Sequence, residues 1–344
     1  MKVSDFDFFL PRELIAQRHA EKREMSRLLV YHTQNREAEN KIFSDIVEYF
    51  SRGDVLVIND TRVIPARLFG QKPSGARVEF LLTGERESGL WEAMARPVKR
   101  LRPGSRVEVA GETLVVEEKL DWGGVTVRFP ERVDVQNFLQ QHGHMPVPPY
   151  IHNDDEDYLR QRYQTVFAQK SGSVAAPTAG LHFTEGLLEQ LKEKGVELVT
   201  ITLHVGMGTF LPVKCDTVEG HRMHSEFYEI SEEAAHAING RRGRLFACGT
   251  TVTRTLEHAA DTNGIVKAGK RWSDLFIYPG YTFRVVENLI TNFHLPRSTL
   301  LMLVSALAGR EEILRLYRDA VEKRYRFFSF GDAMLIITKE PNAV

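Results

Sequence analysis

Apolar positions along the chain change their period several times, and the changes mark out its elements. Residues 27–31 (RLLVY) read as a strand, and 12–20, entered through Pro11, as a helix. A short helix is expected from Asp45, capped by Ser44 and ended at Gly53. The unbroken run Val55-Leu56-Val57-Ile58 is that of a strand buried on both faces. From 63 to 150 the texture alters. Short β-type runs at 76–82, 90–95, 106–109, 114–118 and 125–129 alternate with Gly, Pro and charged turns, and the only helical signal is at 133–141. This predicts a small all-β unit bounded by Pro65 and by the stiff Pro146-Val147-Pro148-Pro149.

Beyond it, strand, turn and helix recur in order. Helices are expected over 158–167, from 185 to Gly195 with Thr184 as N-cap, from Ser231 to Gly240, and over 253–260, 299–308 and 311–325. Strands are expected over 196–205, 245–248, 275–278, 282–290 and 333–338. In 196–205, Val199, Ile201, Leu203 and Val205 share one face, so His204 points to the other with Thr200 and Thr202. The pattern predicts a larger α/β domain, 1–62 and 151–344, interrupted by an inserted β domain, 63–150.

Composition changes this picture little. A chain of 344 residues, 42% hydrophobic and 26% charged, suits two domains with a sizeable core. Forty-five basic against 46 acidic side chains give a net charge of -1, so any contact with a polyanion must be local. Arg96, Lys99, Arg100, Arg102 and Arg106 gather in one loop of the β unit and its flanks. They are either a phosphate-contacting patch or a solvated charged loop. Cys215 and Cys248 are read as buried thiols of a reducing cytoplasm. The N-terminus lacks the apolar run of a signal peptide, and the longest such run, 300–304, is far short of the roughly 20 residues that span a bilayer. A cytoplasmic protein without a membrane segment is expected.

Candidate chemistry sits at strand ends. GSVAAPTAGLHFT (172–184) packs small residues, a proline and His182 into a segment without periodicity, which suits a binding surface as well as a lead-in to a helix. Asn59-Asp60-Thr61-Arg62 follows the buried strand, at the kind of carboxyl end where open sheets place ligand groups; a capped turn is the alternative. Gly206 and Gly208 follow another strand. Gly249-Thr250-Thr251 opens a helix whose free amides could meet a carboxylate, phosphate or ribose, unless a threonine merely caps it. Arg254, close to that positive end, needs a partner. His221, His224 and Glu226 have none of the familiar zinc spacings, so no metal is expected.

With these stretches in place, the chain resembles the S-adenosylmethionine:tRNA ribosyltransferase-isomerase family of queuosine biosynthesis. The matches are INDTRVIPARL (58–68), MPVPPYI (145–151), GSVAAPTAGLHFT (172–184), TLHVGMGTF (202–210), MHSEFY (223–228), GTTVTRTLE (249–257), FIYPGY (276–281), TNFHLPRSTLLMLVSALAG (291–309) and YRFFSFGDAMLI (325–336), nearly end to end. Glu24, His144 and Leu211 depart from the expected pattern, and His144 leaves contacts of the insert open.

The resemblance implies that the insert is a six-stranded Greek-key β-barrel. It also implies transfer of the ribosyl part of S-adenosylmethionine to 7-aminomethyl-7-deazaguanine at the tRNA wobble position. Isomerisation then gives epoxyqueuosine, and adenine and methionine leave. S-adenosylmethionine is consumed as a substrate, so no further cofactor is expected, and a monomer is. Such chemistry needs a base for the proton on the 5' carbon beside the sulfonium and an acid for adenine departure, tasks that suit histidine. His204, then His182 and His294, are the candidates. Thr250, Thr251, Arg254 and Gly249, with Gly206 and Gly208, are assigned to the methionine carboxylate and ribose, followed by Thr178, Gly180 and Asn292. Asp60 and Arg62 could engage either substrate, and the basic loop could hold anticodon-stem phosphates. An S-adenosylmethionine-dependent RNA methyltransferase and a non-catalytic RNA-binding protein are the alternative classes.

Overall fold

The structure, a computed structural model, describes residues 1–152, 155–206, 213 and 215–341. Its N-terminal part contributes β1 (Arg27–His32), β2 (Glu37–Ile42), β3 (Val55–Asn59) and β4 (Thr61–Val63). Then come β5 (Arg67–Gln71), β6 (Arg77–Glu87), β7 (Leu90–Arg96), β8 (Arg106–Val109), β9 (Glu112–Lys119) and β10 (Val125–Arg128). The rest of the chain supplies α1 (Val135–His142), α2 (Glu156–Arg162), β11 (Lys170–Ser173), α3 (Glu185–Glu193), β12 (Glu197–Leu203), β13 (Glu226–Ile230), α4 (Glu232–Asn239) and β14 (Leu245–Cys248). It ends with α5 (Thr250–Ala259), β15 (Gly269–Ser273), β16 (Asn288–Asn292), α6 (Thr299–Ala308), α7 (Arg310–Glu322) and β17 (Ala333–Ile337).

The strand with the unbroken apolar run, β3, is the middle of a nine-stranded sheet ordered β15-β13-β12-β3-β14-β16-β17-β1-β2. It lies parallel to both β12 and β14, and all its residues are buried. Alternate side chains serve two layers: Val55 and Val57 join the core under α4 to α7, while Leu56 and Ile58 pack with Leu187, Leu188 and Leu191 of α3. β16 is parallel to β14, and β17 is antiparallel to β16. The carboxyl ends of β3, β12, β14 and β16 therefore share one edge with the amino ends of β17 and β1, and the site is built there.

The six strands β5 to β10 close into an antiparallel barrel, ordered β10-β7-β6-β5-β8-β9, around an apolar core of their own. Three hairpin-linked strands are followed by a crossover that lays β8 beside β5. That seam needs Gly70, because a Cβ there would stand 2.5 Å from the Glu108 carbonyl oxygen.

Several expectations are corrected. Residues 12–20 hold one 3-10 turn, Arg12–Leu14, because Ile15 bridges to Phe327 and the Ala16 amide bonds its carbonyl. The expected helix from Asp45 is a 3-10 turn, Phe43–Tyr49. No strand forms at 275–278, and the one expected over 282–290 begins only at Asn288. The buried Glu257 carboxylate takes the amides of Arg284, Val285 and Val286, which leaves none of the three for a ladder. Cys248 is buried, but Cys215 is only half-buried.

One ion pair fixes the far edge of the sheet. Arg244 Nη2 lies 2.7 Å from Asp54 Oδ2, and the same carboxylate takes the amides of Ser51 and Arg244, all of it buried. Asp54→Ala should lower the unfolding free energy by about 3–5 kcal/mol, since it strands a buried guanidinium. An unaltered urea midpoint would show the pair to be dispensable.

Candidate active site

Along the shared edge, the turns after β14 and β16 face the segments before α6 and β17 across a cavity of about 410 Å³. Its polar lining includes Thr178, Thr250, Thr251, Arg254, Asn292, His294 and Arg297, joined by His224 and Glu226, and Gly249, Pro148, Pro149, Tyr150 and Phe328 line it as well. Apolar side chains make up most of the wall, as suits a small-molecule site.

Helix α5 starts without a side-chain cap. Gly249, at φ 97°, is its N-cap, so neither Thr250 nor Thr251 is spent on capping. The Thr251 hydroxyl is instead buried without a partner among the described residues. Arg254 has the partner its position demanded: Nη1 lies 2.7 Å from Glu226 Oε2, and Nε donates to the Leu275 carbonyl at 2.9 Å. Both charges are buried, Nη2 has no partner among the described residues, and Glu226 Oε1 takes the Gly206 amide at 3.3 Å.

Burial sets the histidines' charge. It pushes His294 down to about 3 and His182, despite the Asp332 carboxylate, to about 4, so both are neutral at pH 7. His294 Nε2 is 3.1 Å from Thr291 Oγ1, and Nδ1 has no partner among the described residues. His182 lies behind the cavity wall, stacked 5.0 Å from Phe43, its Nδ1 2.7 Å from Ser26 Oγ and its Nε2 3.2 Å from Asn292 Nδ2. Asn292 Oδ1 is buried, without a partner among the described residues.

A stability effect follows. The unfolded chain protonates these two rings near the ordinary value of 6.5, while the folded one waits until about 4 and 3. Stability is therefore full above about pH 6.5 and falls as acid is added, by about 1.4 kcal/mol per pH unit for each ring until its folded value is reached. Thermal midpoints between pH 8 and 5 should show the decline, and His294→Gln should make it shallower; an equal slope in that variant would assign the decline elsewhere.

A family model described as queuosine biosynthesis protein matches residues 3–336. A curated relative from Pelotomaculum thermopropionicum is 53% identical over 344 residues, covering 98% of this chain and 100% of the relative. One from Halothermothrix orenii is 50% identical over 343 residues with the same coverages. Both are named S-adenosylmethionine:tRNA ribosyltransferase-isomerase. The chain belongs to the queuosine biosynthesis protein family.

A solved structure of the S-adenosylmethionine tRNA ribosyltransferase from Thermotoga maritima matches with a TM-score of 0.54 and 36% identity, covering 97% of this chain and 100% of that one. Within this queuosine biosynthesis protein, the remaining candidates fall in three places. His204 sits in the seam of β4, β11 and β12, its Nδ1 2.8 Å from Thr61 Oγ1 and its ring against Gly172, and it is not among the cavity's lining residues. Burial lowers its pKa as well. In the same seam, Asp60 accepts from the Thr202 hydroxyl at 2.7 Å, and Arg62 Nη2 donates to the Ala168 carbonyl. Gly180 makes room for Phe167, whose ring would meet a Cβ at 2.6 Å, and does not line the cavity. Gly208 and Leu211 lie outside the described residues.

The basic loop is on the barrel. Arg96, Lys99, Arg100, Arg102 and Arg106 are all exposed, and none has an acidic partner within 4.0 Å among the described residues. The departure at His144 is accommodated locally: Nδ1 lies 3.4 Å from a Glu156 oxygen, and the backbone pairs with Arg67. No group of three or more His, Cys, Asp or Glu able to hold a metal occurs among the described residues, and no helix of theirs is long and apolar enough to cross a membrane.

Sequence reasoning missed Ser26 and Phe328, and it read Glu226 as a hydrogen-bonded polar residue of a site or turn, in preference to a metal ligand, without pairing it with Arg254. The demand for a partner to Arg254 was the signal that could have found Glu226. Phe328 and Arg297, both lining the cavity, hold φ values of 73° and 58°, which nothing in their residue types announces.

Proposed function

We propose that this chain transfers the ribosyl moiety of S-adenosylmethionine to 7-aminomethyl-7-deazaguanine at the tRNA wobble position. It isomerises that moiety to the epoxycyclopentanediol of epoxyqueuosine and releases adenine and methionine. The observation that carries the reading is three buried polar groups without a partner among the described residues, Thr251 Oγ1, Arg254 Nη2 and Asn292 Oδ1, on residues lining one cavity with the open amino end of α5. Buried polar groups are normally paired, so such a set marks places for ligand atoms.

Arg254 Nη2 and the α5 amides suit the methionine carboxylate, with Gly249 giving room for close approach. The apolar walls suit the adenosyl body, and Tyr150 and Phe328, centroids 4.3 Å apart, suit a base drawn out of the anticodon loop. His294, neutral and on the cavity wall, is the base assigned to the 5' proton, ahead of His204 in the neighbouring seam. S-adenosylmethionine enters as a substrate, and no other cofactor is required.

The exposed basic loop of the barrel is assigned to anticodon-stem phosphates. Reversing Lys99, Arg100 and Arg102 to glutamate should weaken tRNA binding at least tenfold and reduce its salt slope by about 3, one for each lost phosphate contact. Equal binding with an equal slope would move the tRNA surface elsewhere.

Product analysis tests the function itself. Incubation with S-adenosylmethionine and tRNA bearing the deazaguanine base should give free adenine and methionine. Formation of S-adenosylhomocysteine would identify a methyltransferase, and no turnover a binding protein.

A further inference from the structure

We infer that His182 is a positioning residue: with Ser26 and the Phe328 carbonyl it locks the side chain of the cavity-lining Asn292 so that its oxygen is the amide atom left for a ligand. Asn292 then accepts a hydrogen bond from an O–H or N–H group of a bound substrate. The inference rests on the cavity being the S-adenosylmethionine site.

The hydrogen-bond roles follow from the ends of the chain of contacts. Asn292 reaches the Phe328 carbonyl oxygen at 3.2 Å, and since that oxygen can only accept, the amide nitrogen must face it. The same nitrogen faces His182 Nε2 at 3.2 Å, so Nε2 must be unprotonated and accept. At the other end, Ser26 Oγ is 3.3 Å from the Arg23 carbonyl and donates there, leaving the hydroxyl to accept from His182 Nδ1–H at 2.7 Å. Both ends demand the same neutral tautomer, Nδ1–H. Both amide hydrogens of Asn292 are then spent, and its buried oxygen has no partner among the described residues.

The anchor is held in place as well. Phe328, at φ 73°, donates its amide to the Phe293 carbonyl at 3.0 Å, and its own carbonyl also takes the Gly331 amide at 2.9 Å. A non-glycine residue in the left-handed region costs on the order of 1 kcal/mol or more, and here it aims a carbonyl at Asn292. A flipped Asn292 amide would set two carbonyl oxygens against each other.

A positioning role and an acid–base role predict different results. His182→Gln can offer an amide oxygen where Nε2 stood, whereas His182→Leu cannot. If His182 positions Asn292, the Gln variant should keep kcat/KM within about tenfold of the parent. The Leu variant should lose about thirtyfold or more, mainly through KM for S-adenosylmethionine, as expected when binding is equal in ground and transition states. Loss of kcat to the same extent in both, with KM unchanged, would overturn the inference.

Two measurements stand apart from turnover and folding defects. The ¹⁵N shifts of His182 in the unaltered protein should show Nδ1 protonated and Nε2 bare at pH 7, and the opposite tautomer would refute the arrangement. Asn292→Leu should weaken binding of S-adenosylhomocysteine, a non-reacting probe, about tenfold or more if the donor lies on the nucleoside. If it lies on the tRNA base, S-adenosylhomocysteine binding should hold and tRNA binding should fall instead. Affinity for both unchanged would remove the acceptor role. An unaltered protein that binds S-adenosylhomocysteine but forms no adenine would count against the proposed reaction while leaving the positioning result readable.

Discussion

Arg254→Lys should raise the dissociation constant for S-adenosylmethionine between tenfold and a hundredfold while leaving the protein folded. The guanidinium binds Glu226 through Nη1 and the Leu275 carbonyl through Nε, while Nη2, on this cavity-lining residue, has no partner among the described residues. A lysine keeps the charge, and so keeps Glu226 from being stranded, but an ammonium on a flexible stem cannot hold both protein contacts and still present a fixed donor to a carboxylate. A hydrogen bond to a charged group contributes about 1.5–3 kcal/mol, which at about 1.4 kcal/mol per decade gives the expected range. Arg254→Met is a different experiment. It leaves a buried carboxylate without its cation, at a cost of about 3–5 kcal/mol, so lost binding there would be confounded with lost structure. Glu226→Gln completes the set: it removes the carboxylate charge but keeps an acceptor for Nη1, so Arg254 should hold its direction and binding should fall less than in Arg254→Lys. Calorimetric titration paired with a thermal midpoint for each variant separates the cases. Arg254→Lys binding with unchanged affinity would take Arg254 out of the substrate site.

Elements whose partners are their own neighbours in sequence were legible from it, and elements made by distant contacts were not. The run at 55–58 specified a strand buried on both faces because nothing else accommodates four consecutive apolar side chains so close to Gly53. Thr184 and Ser231 announced their helices through their own side chains, which accept from the amides of Leu187 and Ala234. By contrast, β2 (EAENKI) and β15 (GKRWS) are edge strands whose residues look outward, so their pairing with β1 and β13 leaves little apolar signature. The stretch 284–286 has strand-like residues yet is turned aside by Glu257, a carboxylate nearly thirty positions earlier.

The site divides in the same way. The turns at Gly249 and Asn292 were readable as loops at strand ends and the segment around Thr178 as a lead-in to a helix, and parallel pairing of β14 and β16 carries the first two to a common edge. What each side chain does there was not readable. His182 and His294 look alike as histidines beside small or amide residues, but one is tied to Ser26, 156 positions earlier, and the other lines the cavity. Strand-face alternation rightly turned His204 away from the apolar row. It could not say that the other face meets Thr61 and Gly172.

His294→Ala should reduce kcat at least a hundredfold with little change in the affinity for S-adenosylmethionine. The argument is one of protonation state and place. Removing the 5' proton requires a group that is unprotonated when the sulfonium arrives, and burial alone holds His294 at about 3, so the ring is neutral across the physiological range though a weaker base than an unshifted imidazole. Thr291 Oγ1 occupies Nε2, which leaves Nδ1 without a protein partner among the described residues. A positioned base typically contributes about 10² to 10⁴ in rate, whereas the affinity should rest mainly on Arg254 and the α5 amides, untouched by the substitution. In heavy water the unaltered enzyme should incorporate deuterium at the 5' carbon of recovered S-adenosylmethionine if the abstraction is reversible, and His294→Ala should not. His204→Ala is the control, because its ring lies in the adjoining seam: it should fold and retain the larger share of the activity. If His204→Ala is the variant that loses turnover and deuterium exchange while His294→Ala keeps both, the base belongs in the seam, and substrate must reach across β12 to meet it.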